Sequence, residues 1–276
     1  MKRWIIHKLS CGLFCIVFLN SCFLKPISKH KNITYDEKHN LQLDVYSPRR
    51  IKEPKSVMVF IHGGSWRSGS KRLYRFFGKG WARNGVVCVV IDYRLSPLAQ
   101  NEAMMKDAAN AVKWAKDNIK NYGGDENKIF VSGHSAGAQM AALLSVNDIY
   151  FDSLGIKNPI KGAVMIDAFG LDMVSYFNRY RNEGYLKIFG DDPAAWKRGS
   201  PQAFLHKGMP PFILFLGTRT YPEIAKQTNE FLTELKKYQP DAQLIINKRK
   251  RHETMIFQFA GTKNKDYKKI LEFMKK

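Results

Sequence analysis

Two hundred and seventy-six residues, 45% hydrophobic and 25% charged, suit one large α/β domain and leave little room for a second. Forty-five Lys and Arg against 24 Asp and Glu give a net charge of +21. That excess is spread along the chain without an aromatic-interleaved basic stripe or zinc-finger spacing, so nucleic acid is not an expected partner. It fits either attraction to anionic lipid, envelope polysaccharide or an acidic substrate, or a merely solvated lysine-rich surface.

The chain opens with Lys2 and Arg3 before an apolar run from Ile5 to Leu19, too short for a permanent membrane span. Residues 1–21 therefore read as a signal peptide, and Leu19-Asn20-Ser21-Cys22 resembles the bacterial lipobox. The expectation is a lipoprotein acylated at Cys22 and held to the membrane through that lipid. Phe23, where Asp would favour the inner membrane, points to the outer one; a periplasmic or secreted protein is the alternative. Cys11 and Cys15 lie in the segment to be removed, so Cys88 is left alone in the folded part, as a small buried hydrophobe with no disulfide partner.

After a basic tether, residues 22–31, the domain is expected over residues 32–276. Ile33 to Asp36 and the alternating Leu41 to Tyr46 flank Glu37-Lys38-His39-Asn40, which predicts an antiparallel hairpin ended by Pro48. Ser56 to Ile61 is a continuous apolar run suited to a strand buried on both faces. A helix over 71–83, a strand over 86–93 and a helix over 102–120 follow. The next strand, Lys128 to Val131, runs into Gly133-His134-Ser135-Ala136-Gly137 and an alanine-rich helix. Strands over 162–166, 211–216 and 242–247 then alternate with helices over 223–238 and 265–274. Such alternation means a mostly parallel sheet with helices on both faces.

Two motifs carry chemistry. Strand, G-x-S-x-G and helix in that order form a nucleophile elbow, in which Ser135 is held out on a strained turn above the N-terminus of a helix. His62-Gly63-Gly64-Ser65-Trp66 follows an earlier strand, where an acyl hydrolase needs backbone N–H donors for an oxyanion. A serine nucleophile also requires a base, which in this chain order follows the last core strand; His252 stands there.

With these blocks, and with Ile91-Asp92-Tyr93-Arg94-Leu95, Tyr122-Gly123-Gly124-Asp125, Ser200-Pro201 and Pro210-Pro211-Phe212, the chain resembles the α/β-hydrolase superfamily. The likeness covers residues 33–276 and is to the carboxylesterase group, which includes hormone-sensitive-lipase-like, feruloyl and acetylxylan esterase-like and kynurenine formamidase-like enzymes. The resemblance implies an α/β-hydrolase fold with a short cap, oxyanion donors from Gly64, Ser65 and Ala136, no metal and no cofactor, and structural roles for Asp92 and Asp107. It also places a triad acid shortly after Gly217, where this chain has Thr218-Arg219-Thr220. Glu223 is the remaining carboxylate of that loop and the expected acid; Asp172, after the preceding strand, is the second candidate. Tyr176, Phe177, Tyr180, Tyr185, Phe189 and Trp196 supply flat apolar surface to roof a pocket, although half of them could equally be core.

The expected function is hydrolysis of small, aryl or polysaccharide-linked carboxylic esters through an acyl-enzyme on Ser135. An aryl-amide or formamide hydrolase is the nearest alternative. A non-catalytic envelope protein with a degraded triad is the other, since Thr220 cannot act as the acid. The sequence does not fix the oligomeric state.

Overall fold

The computed structural model describes residues 24–275. The signal peptide and the lipidation expected at Cys22 lie outside that range. Among the described residues no helix is long and apolar enough to cross a membrane.

Eight strands form one sheet: β1 (Ile27–Asp36), β2 (Leu41–Pro48), β3 (Lys55–Ile61), β4 (Val87–Ile91), β5 (Gly124–His134), β6 (Ile160–Ile166), β7 (Phe212–Gly217) and β8 (Gln243–Asn247), in the order β1-β2-β4-β3-β5-β6-β7-β8. The β1–β2 hairpin joins antiparallel to β4, and every pairing from β4 through β8 is parallel. β3 and β4 are near-continuous runs of branched apolar residues because both their faces are covered. β1 begins at Ile27, inside the stretch expected to be a tether. Ile27 pairs with Pro48 and packs among apolar side chains, so backbone pairing extends the strand through basic residues whose composition reads as linker.

Among the described residues ten α-helices accompany the sheet: α1 (Arg75–Arg83), α2 (Asn101–Asn118), α3 (Ala136–Val146), a single turn α4 (Ile149–Asp152), α5 (Met173–Arg179), α6 (Glu183–Phe189), α7 (Pro193–Arg198), α8 (Pro222–Leu235), α9 (His252–Phe257) and α10 (Lys265–Phe273). On one face of the sheet α2, α3 and α8 bury residues such as Met104, Val112, Leu143 and Phe231 against Val59, Ile61 and Val131. On the other, α1, α9 and α10 bury Phe77, Trp81, Met255 and Ile270 against Phe60, Val90 and Phe215. The parallel strands all end on one edge, so the loops after β3, β5, β6, β7 and β8 meet there. The short helices α5, α6 and α7 roof that edge.

Buried ion pairs fasten this end of the sheet. Asp107 of α2 takes a forked pair of hydrogen bonds from Arg94, and Asp92 accepts from the Lys71 backbone at 2.6 Å. Both aspartates tie loops to the sheet, as their structural reading requires. Cys88 is buried in β4 with its thiol pushed well above the usual range by burial.

Candidate active site

β5 delivers the elbow. Ser135 has φ 55° and ψ −122°, a region that L-residues seldom occupy, and its N–H donates to Ile166 O at 3.1 Å. The turn is this tight because two glycines allow it: a Cβ on Gly133 would lie 2.1 Å from Gly137 O, and one on Gly137 would lie 2.1 Å from Ile61 O. Ala136 is the first residue of α3, so its N–H belongs to the unpaired first turn beneath the serine.

The loop after β3 comes alongside. Gly64, Ser65 and Trp66 all have left-handed φ (126°, 54° and 57°), and Gly64 O accepts hydrogen bonds from Arg67 and Ser68, closing the turn. Gly64 and Ser65 line the same cleft as Ser135 and His252. Ala136 directly follows Ser135 in the elbow. Trp66 takes no part in the cleft wall: it is fully buried and donates to Gln139 Oε1 at 3.1 Å.

His252 opens α9, just after β8, and its Nδ1 lies 2.7 Å from Oδ2 of Asp167. Asp167 is the first residue beyond β6, and it is fully buried with φ 49°. Its Oδ1 accepts from Gly217 N at 2.9 Å, and its Oδ2 also accepts a short hydrogen bond from the Thr220 hydroxyl. A carboxylate holding the imidazole at Nδ1 leaves Nε2 as the nitrogen that can take a proton.

The acid expected from the sequence is therefore corrected. Glu223, the first choice, lines the cleft but pairs with Arg179 at 2.5 Å and accepts from Gln227 at 3.0 Å, on α8, so the carboxylate on His252 is not its own. Asp172 caps α5 by accepting from Ser175 N at 3.0 Å. It follows the right strand, but five residues beyond the one that meets the histidine. Thr220, which reads as a vacated acid position, instead donates to the carboxylate that meets His252 from the neighbouring strand β6. The signal that could have found Asp167 is its place at the very C-terminal end of β6, where parallel sheets present their functional side chains.

Nothing in the linear chain marks His134 beyond its motif, yet its ring stacks on that of His252 with centroids 4.5 Å apart, and its Nε2–H donates to the His252 carbonyl at 3.0 Å. Burial first, and then the charge of His252, push the pKa of His134 down to about 3. A neutral ring can lie against an imidazolium without repelling it.

The cleft measures about 540 Å³. Of the aromatic residues expected to roof it, Tyr176 and Tyr185 line it, joined by Phe169, Tyr74 and Tyr221. Phe177, Phe189 and Trp196 are instead buried packing, and Tyr180 is exposed.

The BD-FAE family model matches residues 43–235, more than half of the chain. The chain belongs to the BD-FAE family, in the carboxylesterase group of the α/β-hydrolases. Among similar proteins, a probable isoprenylcysteine alpha-carbonyl methylesterase of Arabidopsis thaliana is 25% identical over 93% of this chain and 59% of its own length. Esterase LipC of Mycobacterium tuberculosis is 27% identical over 75% of this chain and 55% of its own. The chain thus spans under two thirds of these relatives. Thermogutta terrifontis esterase 2, in a structure phosphonylated by sarin, superposes with a TM-score of 0.73 at 22% identity, covering 90% of this BD-FAE member and 94% of its own chain. At that identity the likeness is one of fold.

Proposed function

We propose that this BD-FAE member is a serine esterase that cleaves carboxylic esters through an acyl-enzyme on Ser135. The observation that carries the reading is the His252 Nδ1 to Asp167 Oδ2 hydrogen bond at 2.7 Å, inside a cleft that also holds the strained Ser135. His252 Nε2 takes the proton of the serine hydroxyl as Oγ attacks the ester carbonyl, while Asp167 holds the imidazole in the needed tautomer and stabilises its charged form. Backbone N–H groups of Gly64, Ser65 and Ala136 receive the oxyanion. The imidazolium returns its proton to the departing alcohol, and a water activated by the same nitrogen releases the acid.

Tyr176, Tyr185 and Phe169 give the cleft an apolar wall, and its volume suits a small acyl or aryl group. The named relatives are esterases, which supports ester over amide substrates. The alternative of a non-catalytic envelope protein rests on the acid missing at Thr220, and the Asp167–His252 hydrogen bond weighs against it.

A fluorophosphonate probe tests the proposal, since it reacts only with an activated serine. The native chain should label and should hydrolyse short p-nitrophenyl esters, and Ser135→Ala should do neither while keeping its fold. Full turnover by Ser135→Ala would refute the assignment.

A further inference from the structure

Helix α1 carries a stripe that the ester chemistry does not use. Arg75, Lys79 and Arg83 stand at i, i+4 and i+8, so their side chains rise one above another about 6 Å apart. Like charges at that spacing disfavour a helix rather than stabilise it. Two more cations join them from β1. Lys29 pairs directly with Tyr46 of β2, and the Tyr46 ring is pressed against α1, where a Cβ on Gly78 would come within 2.3 Å of it. Lys29 and Lys31, two residues apart, therefore project on the α1 side of the hairpin, whereas His30 between them turns the other way to meet Tyr122.

None of the five forms an ion pair among the described residues. Lys79 lies at their centre: partial burial and then the charges of Lys29, Arg75, Arg83 and Lys31 hold its ammonium below the ordinary lysine value. The chain before β1 cannot neutralise them, because residues 1–23 contain no Asp or Glu.

Beside the stripe the surface turns apolar. Leu73 and Phe257 are 64% and 58% exposed, and the Phe76 ring sits 5.6 Å from Phe257 and 6.0 Å from Tyr74, which lines the cleft. The chain enters the fold on this same side, since Ile27 packs into the cluster that holds Tyr74 and Phe76. From Ile27 back to Cys22 five residues span at most about 18 Å. A lipid at Cys22 would thus bring this face to the membrane it anchors in.

We propose that Lys29, Lys31, Arg75, Lys79 and Arg83 form a docking face for an anionic phospholipid surface, with Leu73 and Phe257 as its apolar edge. Phosphate headgroups match five cations without ion-pair partners on one side of the domain. The exposed Leu and Phe decide between polyanions: a bilayer accepts them at its interface, while a polysaccharide or nucleic acid gains nothing from them.

Sedimentation with lipid vesicles tests the face, using the full chain carrying Cys22→Ser so that no acyl anchor contributes. The reading is the ratio of partitioning onto phosphatidylcholine with phosphatidylglycerol, mixed at roughly 3:1, to partitioning onto phosphatidylcholine alone. Replacing the five cations by Gln should lower that ratio by a factor on the order of 100 or more, each cation near an anionic surface contributing about fivefold. A control with five exposed lysines elsewhere changed to Gln, Lys157, Lys161, Lys187, Lys197 and Lys207, removes the same charge and should keep the ratio within about threefold. Circular dichroism of each variant establishes that it is folded. An equal loss in both variants, or none in the first, overturns the proposal by making the attraction general or absent. Retention of the unsubstituted chain by heparin through the same five residues, with no preference for anionic vesicles, overturns it in favour of a polysaccharide.

Discussion

Asp167 occupies a position that few side chains tolerate. Its φ of 49° turns the carboxylate back under the loops after β7 and β8, where Gly217 N, the Thr220 hydroxyl and His252 Nδ1 converge on its two oxygens. An aspartate fully buried in this way needs those donors, because an unpaired carboxylate there would be costly. Asp167→Asn keeps the size but loses the charge and the tautomer control, and should lower turnover on p-nitrophenyl esters by about ten-thousand-fold. Glu223→Gln removes the charge from the partly exposed pair with Arg179 while keeping an oxygen to accept from Gln227, and turnover should stay within about tenfold of native. If steady-state kinetics give the reverse order, the acid is Glu223 and the Asp167 hydrogen bond is structural.

At the scale of elements, the site depends on buried side chains that do not line the cleft. Gln227 of α8 is fully buried, and its Oε1 accepts from Gly170 N, Leu171 N and Asp172 N at 3.1, 2.9 and 3.4 Å. It thereby closes the loop that leads away from Asp167. Gln139 of α3 does the same for the oxyanion side, accepting from Trp66 and donating to Gly199 O at 2.8 Å beneath the cap. These side chains supply partners to buried backbone and indole groups that would otherwise lack them. Gln227→Leu conserves volume and strands three N–H groups, so the urea midpoint should fall by the equivalent of about 3 kcal/mol or more. An unchanged midpoint would mean that the loop finds other partners.

For the whole molecule, pH dependence follows from buried histidines. His134 is pushed down to about 3, and His62 is also lowered, in both cases by burial first. Each takes up its proton at lower pH in the folded chain than in the unfolded one, where protonation falls near the ordinary value of about 6.5. Between those limits the unfolded state binds more protons, so stability is full above about pH 6.5 and declines on acidification. The slope is at most roughly 1.4 kcal/mol per pH unit for each histidine. Urea midpoints measured at about pH 8 and about pH 5 should fall toward acid, and His134→Gln should flatten the decline, as the replacement cannot take up a proton. A midpoint that rises toward acid, or a decline as steep in His134→Gln as in the native chain, would contradict this.

The sheet, the tight turn at Ser135, the glycine turn at Gly64 and the place of His252 after the last core strand were all legible in the linear chain, because they follow from local patterns and chain order. Apolar runs of strand length, glycines at a tight turn and chain order are fixed by neighbours a few residues away. The same local logic points to Glu223, the carboxylate nearest to Thr220 in the chain. The identity of the acid is not local: 85 residues separate Asp167 from His252, and whether the loop after β6 or after β7 reaches the histidine depends on the parallel register of β6, β7 and β8. The same holds for the stacking of His134 on His252, 118 residues apart, and for Lys29 and Lys31 joining Arg75, Lys79 and Arg83. Sequence patterns set what each segment becomes; only the packed sheet brings distant side chains within the few ångströms over which hydrogen bonds and charges act.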